Sequence, residues 1–323
     1  MMKIMPKFLL LLLCLLLPVR SFATTVNVAV PSFSMSLIAF MAAKERGYYQ
    51  QEGLDINFVL MPAAIASRAL IAGNVDFATV GGSALSASLG GAPLRLLFSS
   101  FSRSLFWLYS RPDISEVKDL KGKKVGVSSI GSGPDSMLRD LLRTHGLQGG
   151  KDVAILAVGV DSSRYASLAN NVTDAVVLST PYNFAAQDAG FRELVSFVKH
   201  DWAELQGCIV TRESVLSTHA ALVEKFTLAT LKGLLSVRSN RAATLPIVAS
   251  MMKIKPDLAA RIYDLSVPAM TPSGALSEDV QRKAIEHVVK QMNLKEPPDL
   301  KKIYDFAPLE KARRQLETQG WKS

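Results

Sequence analysis

Two stretches of the chain run through the same order of elements. Residues 28–60 (VAVPSFSMSLIAFMAAKERGYYQQEGLDINFVL) and 125–158 (VGVSSIGSGPDSMLRDLLRTHGLQGGKDVAILAV) each contain an apolar run, a serine-bearing loop, a helical pattern, a glycine turn and a second apolar run. LIAGNVDFATV (70–80) and LANNVTDAVVL (168–178) follow them at matching places. Strands that alternate with helices favour a mainly parallel sheet covered by helices. The sequence therefore predicts an α/β fold with two similar lobes.

The predicted elements follow this alternation up to about residue 200. Strands are predicted at 26–30, 54–60, 77–80, 94–98, 124–128, 153–158 and 175–178. Helices are predicted at 36–50, 63–72, 83–89, 134–145, 162–170 and 182–189. From about residue 220 the pattern is only helical, with helices predicted at 220–239, 242–252, 256–265, 278–291 and 309–319. A helical portion without a sheet of its own should pack onto one of the lobes.

The first 23 residues have the pattern of a secretory signal peptide. Lys3 and Lys7 precede an apolar run at 8–17, and small residues before the end predict cleavage near Ala23. The apolar run is too short to span a bilayer. Lipidation at Cys14 stays open, although Leu13 stands where a lipoprotein signal requires a small residue. We expect the mature chain to be soluble and exported.

The charge and the cysteine count exclude two classes of protein. Removing the three basic residues of the signal peptide lowers the formal charge from +9 to +6, and the remaining basic residues are interspersed with acidic ones. Such a surface does not predict a nucleic-acid partner. Cys208 is the one cysteine of the mature chain, so no disulfide framework is expected. It lies in an apolar run and is predicted to be a buried structural thiol.

The segment GVSSIGSGPDSM (126–137) begins like a phosphate-binding loop. That motif requires Lys and then Ser or Thr after its second glycine, where this chain has Ser132 and Gly133. A nucleotide site is therefore not predicted. Ser132 and Asp135 instead predict a capping box, with Pro134 in the first helical turn. A helix that starts here still directs free N–H groups towards a ligand.

The loops that follow the predicted strands are rich in serine and glycine and nearly free of charge. Ligands of open parallel sheets bind at the carboxyl ends of the strands. Helix N-termini bind anions there without a charged side chain, and glycine permits close approach to the backbone. Asp161 is interpreted as a helix N-cap, while Arg103 and Arg164 lie only near these loops. The pattern predicts a small organic anion or a polar neutral ligand.

Catalysis finds little support in the sequence. None of the four histidines, His145, His200, His219 and His287, directly follows a predicted sheet strand. No Ser–His–Asp arrangement and no metal-ligand spacing is present. The sequence therefore predicts a binding protein rather than an enzyme, with no catalytic residue, no metal and no cofactor.

Three segments together resemble one family. AAKERGYYQQEGLDINFV (42–59), ALIAGNVDFATVGGSALSASLGGAPLRLLFS (69–99) and DLKGKKVGVSSIGSGPDSMLRDLLRTHGL (119–147) resemble the extracytoplasmic solute-binding proteins of ABC importers. The branch is the one that binds nitrate, sulfonates, taurine and thiamine precursors. The resemblance covers residues 26–217 and extends more weakly into the helical tail.

The resemblance implies a bilobal type II periplasmic-binding-protein fold, with two mainly parallel sheets, flanking helices and a ligand cleft. Two crossing segments near 106–112 and 202–211 would form a hinge. The chain would divide into a signal peptide at 1–23, the first part of lobe 1 at 24–110, lobe 2 at 111–204, and the return strand and helical part of lobe 1 at 205–323. By position, the family's ligand loops fall on Ser34, Met35, Gly82, Ser83, Ser129, Gly131, Ser132, Gly133, Thr180 and Tyr182.

The implied partners are a small-molecule ligand and an ABC permease with its ATPase in the inner membrane, and the chain is expected to be a monomer. An α-amino acid ligand is disfavoured, because no strand-end loop offers an arginine. Phe33, Met35 and Tyr182 indicate either an apolar part of the ligand or packing of the cleft wall. Two other functions stay open. One is an enzyme on the same fold, such as a thiamine-pyrimidine synthase or a menaquinone-pathway enzyme; the other is a ligand sensor for a signalling receptor.

Overall fold

A computed structural model describes residues 23–199, 205–291, 294 and 298–322. The predicted signal peptide lies outside these residues, apart from Ala23. Two five-stranded sheets occur in the described part of the chain. The first sheet has the spatial order β2 (Leu54–Leu60), β1 (Thr24–Val30), β3 (Phe77–Val80), β10 (Gln206–Arg212) and β4 (Leu94–Phe101). The second has the order β7 (Ala154–Ala157), β6 (Lys124–Val127), β8 (Ala175–Leu178), β5 (Trp107–Ser110) and β9 (Arg192–Ser196).

Helices cover both sheets and then form the C-terminal part. Those that follow strands or connect them are α1 (Ile38–Glu45), α2 (Tyr48–Gln51), α3 (Ala63–Ala72), α4 (Gly81–Leu89), α5 (Gly133–Thr144), α6 (Asp161–Ala169), α7 (Tyr182–Asp188) and α8 (Glu213–Thr218). The C-terminal helices are α9 (Ala220–Ser239), α10 (Arg241–Met252), α11 (Pro256–Ser266), α12 (Glu278–Gln291) and α13 (Ala307–Thr318). Short 3-10 segments lie at Met35–Leu37, Val117–Leu120, Phe197–Lys199, Val267–Ala269 and Leu300–Lys302.

Each sheet has one strand that runs against the others. In the first sheet β1 pairs in parallel with β2 and β3, while β10 is antiparallel to β3 and β4. In the second, β6 pairs in parallel with β7 and β8, while β5 is antiparallel to β8 and β9. The prediction of two mainly parallel sheets flanked by helices is confirmed. The predicted strand ranges lack β5, β9 and β10; a return strand within 205–323 was expected only from the family resemblance.

The chain passes from one sheet to the other twice. The first connection is residues 102–106, between β4 and β5. The predicted crossing at 106–112 and the predicted lobe boundary after residue 110 are therefore too late, because β5 is hydrogen-bonded between β8 and β9. The second connection lies between Phe197–Lys199 and β10, and residues 200–204 of it are outside the described residues. Much of the predicted crossing at 202–211 is strand β10 of the first sheet.

The similarity between the two halves extends to individual hydrogen bonds. The Asp76 carboxylate accepts from Asn27 N at 2.8 Å, and the Asp174 carboxylate accepts from Lys124 N at 2.7 Å. Asp76 ties the start of β3 to the middle of β1, and Asp174 ties the start of β8 to the start of β6. Upstream, Gly73 and Asn171 hold matching left-handed positions, with φ of 82° and 57°. Asparagine is the residue that most readily replaces glycine at such a helix end.

The single helix predicted at 36–50 is wrong. The structure divides it into the 3-10 segment Met35–Leu37, α1 and α2. Gly47 has φ of 72°, a left-handed conformation that ends α1 and precedes α2. Helical periodicity on both sides of this turn is continuous in the sequence, which is why the pattern did not reveal the break.

Of the C-terminal helices, α9 and α13 pack onto the first sheet, as predicted, whereas α12 contacts α4 and also α5 of the second lobe. Helix α9 contacts α1 and α2, and α13 contacts α9 and β4. The Phe226 ring of α9 stacks on Phe77 of β3 with 4.2 Å between centroids, and on Tyr49 with 5.3 Å. The buried Tyr49 hydroxyl lies 2.8 Å from Thr230 Oγ1, and burial raises the pKa of Tyr49 well above its ordinary value. The first lobe is thus built from chain segments on both sides of the second.

In the described residues, none of the helices combines the length and apolar character that a membrane span requires.

Helix α9 approaches α1 so closely that only glycine fits at position 233. A Cβ there would lie 2.0 Å from the Ala39 carbonyl oxygen and 2.9 Å from Ala43 N. We therefore expect Gly233→Ala to lower the free energy of unfolding by about 1–3 kcal/mol, although alanine has the better helix propensity. Denaturant unfolding measures this change. Lys225→Ala, on the exposed face of the same helix, serves as the control. A more stable Gly233→Ala variant would contradict this close packing.

Candidate ligand-binding cleft

The loops at the carboxyl ends of the strands converge on a cavity between the two sheets, called here the inner cavity. It has a volume of about 60 Å³. The first lobe lines it with Pro31, Ser32, Ser34, Ser36, Ala63, Thr79, Val80, Gly81, Gly82 and Ser83. The second lobe lines it with Ser128, Ser132, Gly133, Pro134, Asp161, Arg164 and Ser179. The rest of the lining comes from residues in or beside the two connections between the sheets: Phe106, Leu205, Gln206 and Gly207.

Hydroxyl groups dominate the polar lining, and most of them are held by other hydroxyls or by the backbone. Ser32 Oγ donates to Ser34 Oγ at 2.9 Å, and Ser34 Oγ lies 2.9 Å from Ser36 Oγ. On the opposite wall, Ser128 Oγ donates to Ser132 Oγ at 2.9 Å, and Ser132 Oγ donates to Ser129 O at 2.6 Å. These chains fix the direction of each hydroxyl before a ligand arrives.

Ser179 differs from these hydroxyls. It is 3% exposed, lines the inner cavity, and its Oγ has no hydrogen-bond partner among the described residues. A buried hydroxyl without a partner is destabilising by about 1–3 kcal/mol. A bound ligand that hydrogen-bonds with Ser179 would remove this penalty.

Two helix N-termini face the cavity from opposite lobes. Gly81, Gly82 and Ser83 form the first turn of α4, and Gly133 and Pro134 begin α5. The first N–H groups of a helix have no acceptor within the helix and carry a partial positive charge. Gly81 is required for this approach, since a Cβ there would lie 2.2 Å from the Leu205 carbonyl oxygen. Both lobes therefore offer backbone donors to a negatively charged group.

The inner cavity also contains a buried ion pair. The Arg164 guanidinium, 2% exposed, contacts the Asp161 carboxylate and donates to the carbonyl oxygens of Val177 and Gly159. Asp161 Oδ1 also accepts from Ser179 N at 2.8 Å. The interpretation of Asp161 as a helix N-cap is wrong, because α6 begins at Asp161 itself and the carboxylate turns towards Arg164. Arg164 lies in the cavity wall, where no arginine was predicted.

The predicted capping box at α5 is also wrong. Ser132 is the N-cap residue, but its hydroxyl donates to Ser129 O instead of accepting from the helix. The Asp135 carboxylate accepts from Gly131 N at 2.8 Å and pairs with Arg139. Pro134 does lie in the first turn, as predicted. The serine loop is therefore held by Asp135 and leaves the first turn of the helix facing the cavity.

Hydrogen bonds between described residues cross the cleft directly. Ser129 Oγ of the second lobe accepts from Ala64 N at 3.1 Å and so caps the first turn of α3 in the first lobe. Ser86 Oγ donates to Gly131 O at 3.0 Å, and Met35 N donates to Thr180 Oγ1 at 3.4 Å. The structure thus shows the two lobes in contact around the inner cavity.

The ten residues predicted to bind a ligand fall into three groups. Five line the inner cavity: Ser34, Gly82, Ser83, Ser132 and Gly133. Four make the bonds across the cleft: Met35, Ser129, Gly131 and Thr180. The Met35 side chain itself is fully buried in the core. Tyr182, with Thr180, lines a neighbouring hollow, called here the outer pocket. Ligand contact by these residues stays a prediction.

Sequence reasoning missed other cavity residues, above all Ser179, Asp161 and Arg164. The spacing of Asp161 and Arg164, three residues apart in one helix, was the available signal for an ion pair. Gln206 was missed because its strand was interpreted as a hinge segment; its Oε1 accepts from Leu105 N at 3.1 Å.

The histidines with described side chains lie away from the cavity. His145 Nδ1 is 2.9 Å from Leu141 O, and His219 Nδ1 is 2.7 Å from Thr218 Oγ1, both at exposed helix ends. His200 and the side chain of His287 are outside what the structure describes. Cys208 is fully buried, as predicted. Among the described residues, no group of three or more His, Cys, Asp or Glu side chains is arranged to hold a metal ion.

Comparison with known proteins identifies the family. The family described as NMT1/THI5 like matches residues 34–242, more than half of the chain. The chain therefore belongs to the NMT1/THI5-like family. No curated protein matches its sequence.

Solved structures share the fold at low sequence identity. A protein of Bordetella bronchiseptica RB50 aligns with a TM-score of 0.81 at 18% identity, over 91% of this chain and 98% of its own. The alkanesulfonate-binding protein SsuA from Xanthomonas axonopodis pv. citri, bound to MOPS, gives 0.70 at 19% identity, over 86% and 95%. The periplasmic nitrate-binding protein NrtA from Synechocystis PCC 6803 gives 0.73 at 13% identity, over 92% and 90%. The fold is that of the bilobal periplasmic binding proteins.

An enzyme also has a similar fold. The desulfurization enzyme DszB aligns with a TM-score of 0.66 at 16% identity, over 90% of this chain and 99% of its own. The fold alone is therefore compatible with both binding and catalysis.

The bonds across the cleft predict how the lobes respond to mutation. We expect the double variant Ser86→Ala, Ser129→Ala to destabilise the closed arrangement by about 1–3 kcal/mol, since each lost hydrogen bond contributes about 0.5–1.5 kcal/mol. Small-angle X-ray scattering should then show a larger radius of gyration than for the unmodified protein.

Ser88→Ala is the matched control on the same helix, because Ser88 Oγ donates to Leu94 O within the first lobe. It should leave the scattering curve unchanged. Identical curves for the double variant and the unmodified protein would show that these bonds do not hold the lobes together.

Proposed function

We propose that the chain is the substrate-binding component of an ABC-type import system. It captures a small organic anion in the periplasm and delivers it to a membrane permease and its ATPase. The main support is a hydroxyl-lined cavity between two hydrogen-bonded lobes, with one buried hydroxyl left without a partner among the described residues. The predicted signal peptide and the resemblance of the fold to SsuA and NrtA add to it.

The charge of the inner cavity favours an anion. Among its described lining residues, Asp161 is the only carboxylate, and Arg164 neutralises it. The first turns of α4 and α5 add partial positive charge from both sides. A cationic ligand would find no free carboxylate in this described lining. A polar heterocycle is the second candidate, because the same hydroxyls and N–H groups serve neutral acceptors.

A ligand that contacts both lobes at once stabilises the closed state relative to an open one. The connection at residues 102–106 is part of the proposed hinge. Ser83 and Gly82 of the first lobe and Ser179 and Gly133 of the second line opposite walls. Ligand contacts made only after closure would drive this population shift.

Binding without catalysis is part of the proposal. Neither His nor Cys occurs among the described residues that line the inner cavity. A sensor that reports the ligand to a signalling receptor would use the same binding chemistry. Neighbouring genes for a permease and an ATPase would distinguish transport from sensing.

Ser179→Ala tests the site. The substitution removes a hydroxyl for which the described residues offer no partner, so the free energy of unfolding without ligand should fall by less than about 0.5 kcal/mol or rise. Affinity for the ligand should fall about 10- to 100-fold, which corresponds to a lost hydrogen bond to a charged group. Calorimetry against organic acids, sulfonates, nitrate and pyrimidines measures both ligand class and affinity.

Ser266→Ala is the control, because Ser266 is equally buried and its Oγ also lacks a partner among the described residues, but it lies in α11 away from the cavity. It should bind every ligand as the unmodified protein does. The proposed site is wrong if no compound of the panel binds the unmodified protein. It is also wrong if Ser179→Ala binds the ligand with the same affinity as Ser266→Ala.

A further inference from the structure

The outer pocket adjoins the inner cavity. Ser32 and Asp161 line both spaces, so the two share part of their walls. The outer pocket has a volume of about 210 Å³, against about 60 Å³ for the inner cavity. The inner cavity has room for a compact polar group, and the larger space lies directly beside it.

The walls of the outer pocket have a different chemistry. Apolar side chains come from three parts of the molecule: Phe33 and Leu60 from the first lobe, Pro181 and Tyr182 from the second, and Met251 and Met252 from the end of α10. Lys253 also lines the pocket, and its aliphatic stem adds apolar surface. Ser32, Asp161, Ser162 and Thr180 add polar groups, so the outer pocket combines large apolar side chains with polar ones, whereas small serine and glycine residues make up much of the inner cavity.

Two of these residues are exposed to an unusual degree for their type. Phe33 is 38% exposed and Leu60 is 48% exposed, and both belong to one concave surface. Exposed apolar residues that cluster in a hollow mark a contact site more often than scattered ones do. The Tyr182 ring is held by Tyr165, with 5.9 Å between ring centroids, so it offers a fixed aromatic surface.

We propose that the outer pocket holds an apolar substituent of the ligand whose acidic group lies in the inner cavity. The protein then takes organic acids with alkyl or aromatic substituents in preference to the bare acids. This inference rests on the proposed function. Methionine side chains adapt to irregular shapes, so Met251 and Met252 would accept substituents of several forms.

The test compares a bare acid with its substituted relatives. Calorimetry would measure Kd for methanesulfonate, butanesulfonate and benzenesulfonate, and for acetate, butanoate and benzoate. In the unmodified protein each added methylene that enters the pocket should tighten binding about fourfold. The benzene compounds should bind at least about tenfold tighter than the bare acids of the same series.

In the variant Phe33→Ser, Leu60→Ser, the ratio between the Kd of the bare acid and the Kd of the substituted acid should fall about tenfold. The Kd of the bare acid itself should change less than about twofold. Both positions are exposed, so the fold should tolerate serine. Ile71→Ser is the matched control, since Ile71 is 41% exposed and lines neither space.

The outcomes separate the two proposals. Bare acids that bind as tightly as substituted ones would overturn the role of the outer pocket and leave the proposed function intact. That role is also overturned if the double variant weakens the binding of bare and substituted acids equally. If neither kind of acid binds, the proposed class of ligand fails together with this inference.

Discussion

The hydrogen bonding of β10 between β3 and β4 ties the two lobes into one cleft. This strand returns from the second lobe and runs antiparallel to both neighbours. Its start lies at the cavity, where Gly207 has φ of 62° and a Cβ would lie 2.1 Å from Ser36 O. The return also brings α9 and the following helices back onto the first sheet. Without this strand the second lobe would be connected to the first sheet at one end only.

The chemistry of the cleft follows from what those strand ends carry. Serines and glycines fill the loops, and helices begin directly behind them. In the described lining, the charges of Asp161 and Arg164 are paired with each other. Under the proposed function, such a site would recognise a ligand with backbone N–H groups and hydroxyls rather than with a free opposite charge. The bonds across the cleft use the same loops, so the contact between the lobes and the proposed ligand binding involve one set of loops.

Much of the fold could be predicted from the sequence because its signals are local. Strand β2, helix α3 and strand β8 agree with the predicted ranges at both ends, since apolar runs bounded by turn residues define them. The matching bonds of Asp76 and Asp174 show that the similarity of the halves is structural. Strands β5 and β9 could not be placed, because the strands they pair with are distant in sequence.

The candidate site was predictable in position but not in detail. Strand-end loops do line the inner cavity, but side-chain direction decides which of their atoms face it. Ser34 lines it while the adjacent Met35 side chain lies in the core, and Ser179 lines it while Thr180 contacts the other lobe. Arg164 lies outside the loops in sequence and reaches the cavity wall from within α6.

If the protein works as proposed, both lobes enclose one small molecule at once. A crystal structure of protein purified without refolding, with its retained ligand, is the decisive test. We expect density for a compact acidic group within hydrogen-bond distance of Ser179 Oγ and of first-turn N–H groups of both α4 and α5. A ligand bound to one lobe alone, or outside the inner cavity, would contradict this mode of binding.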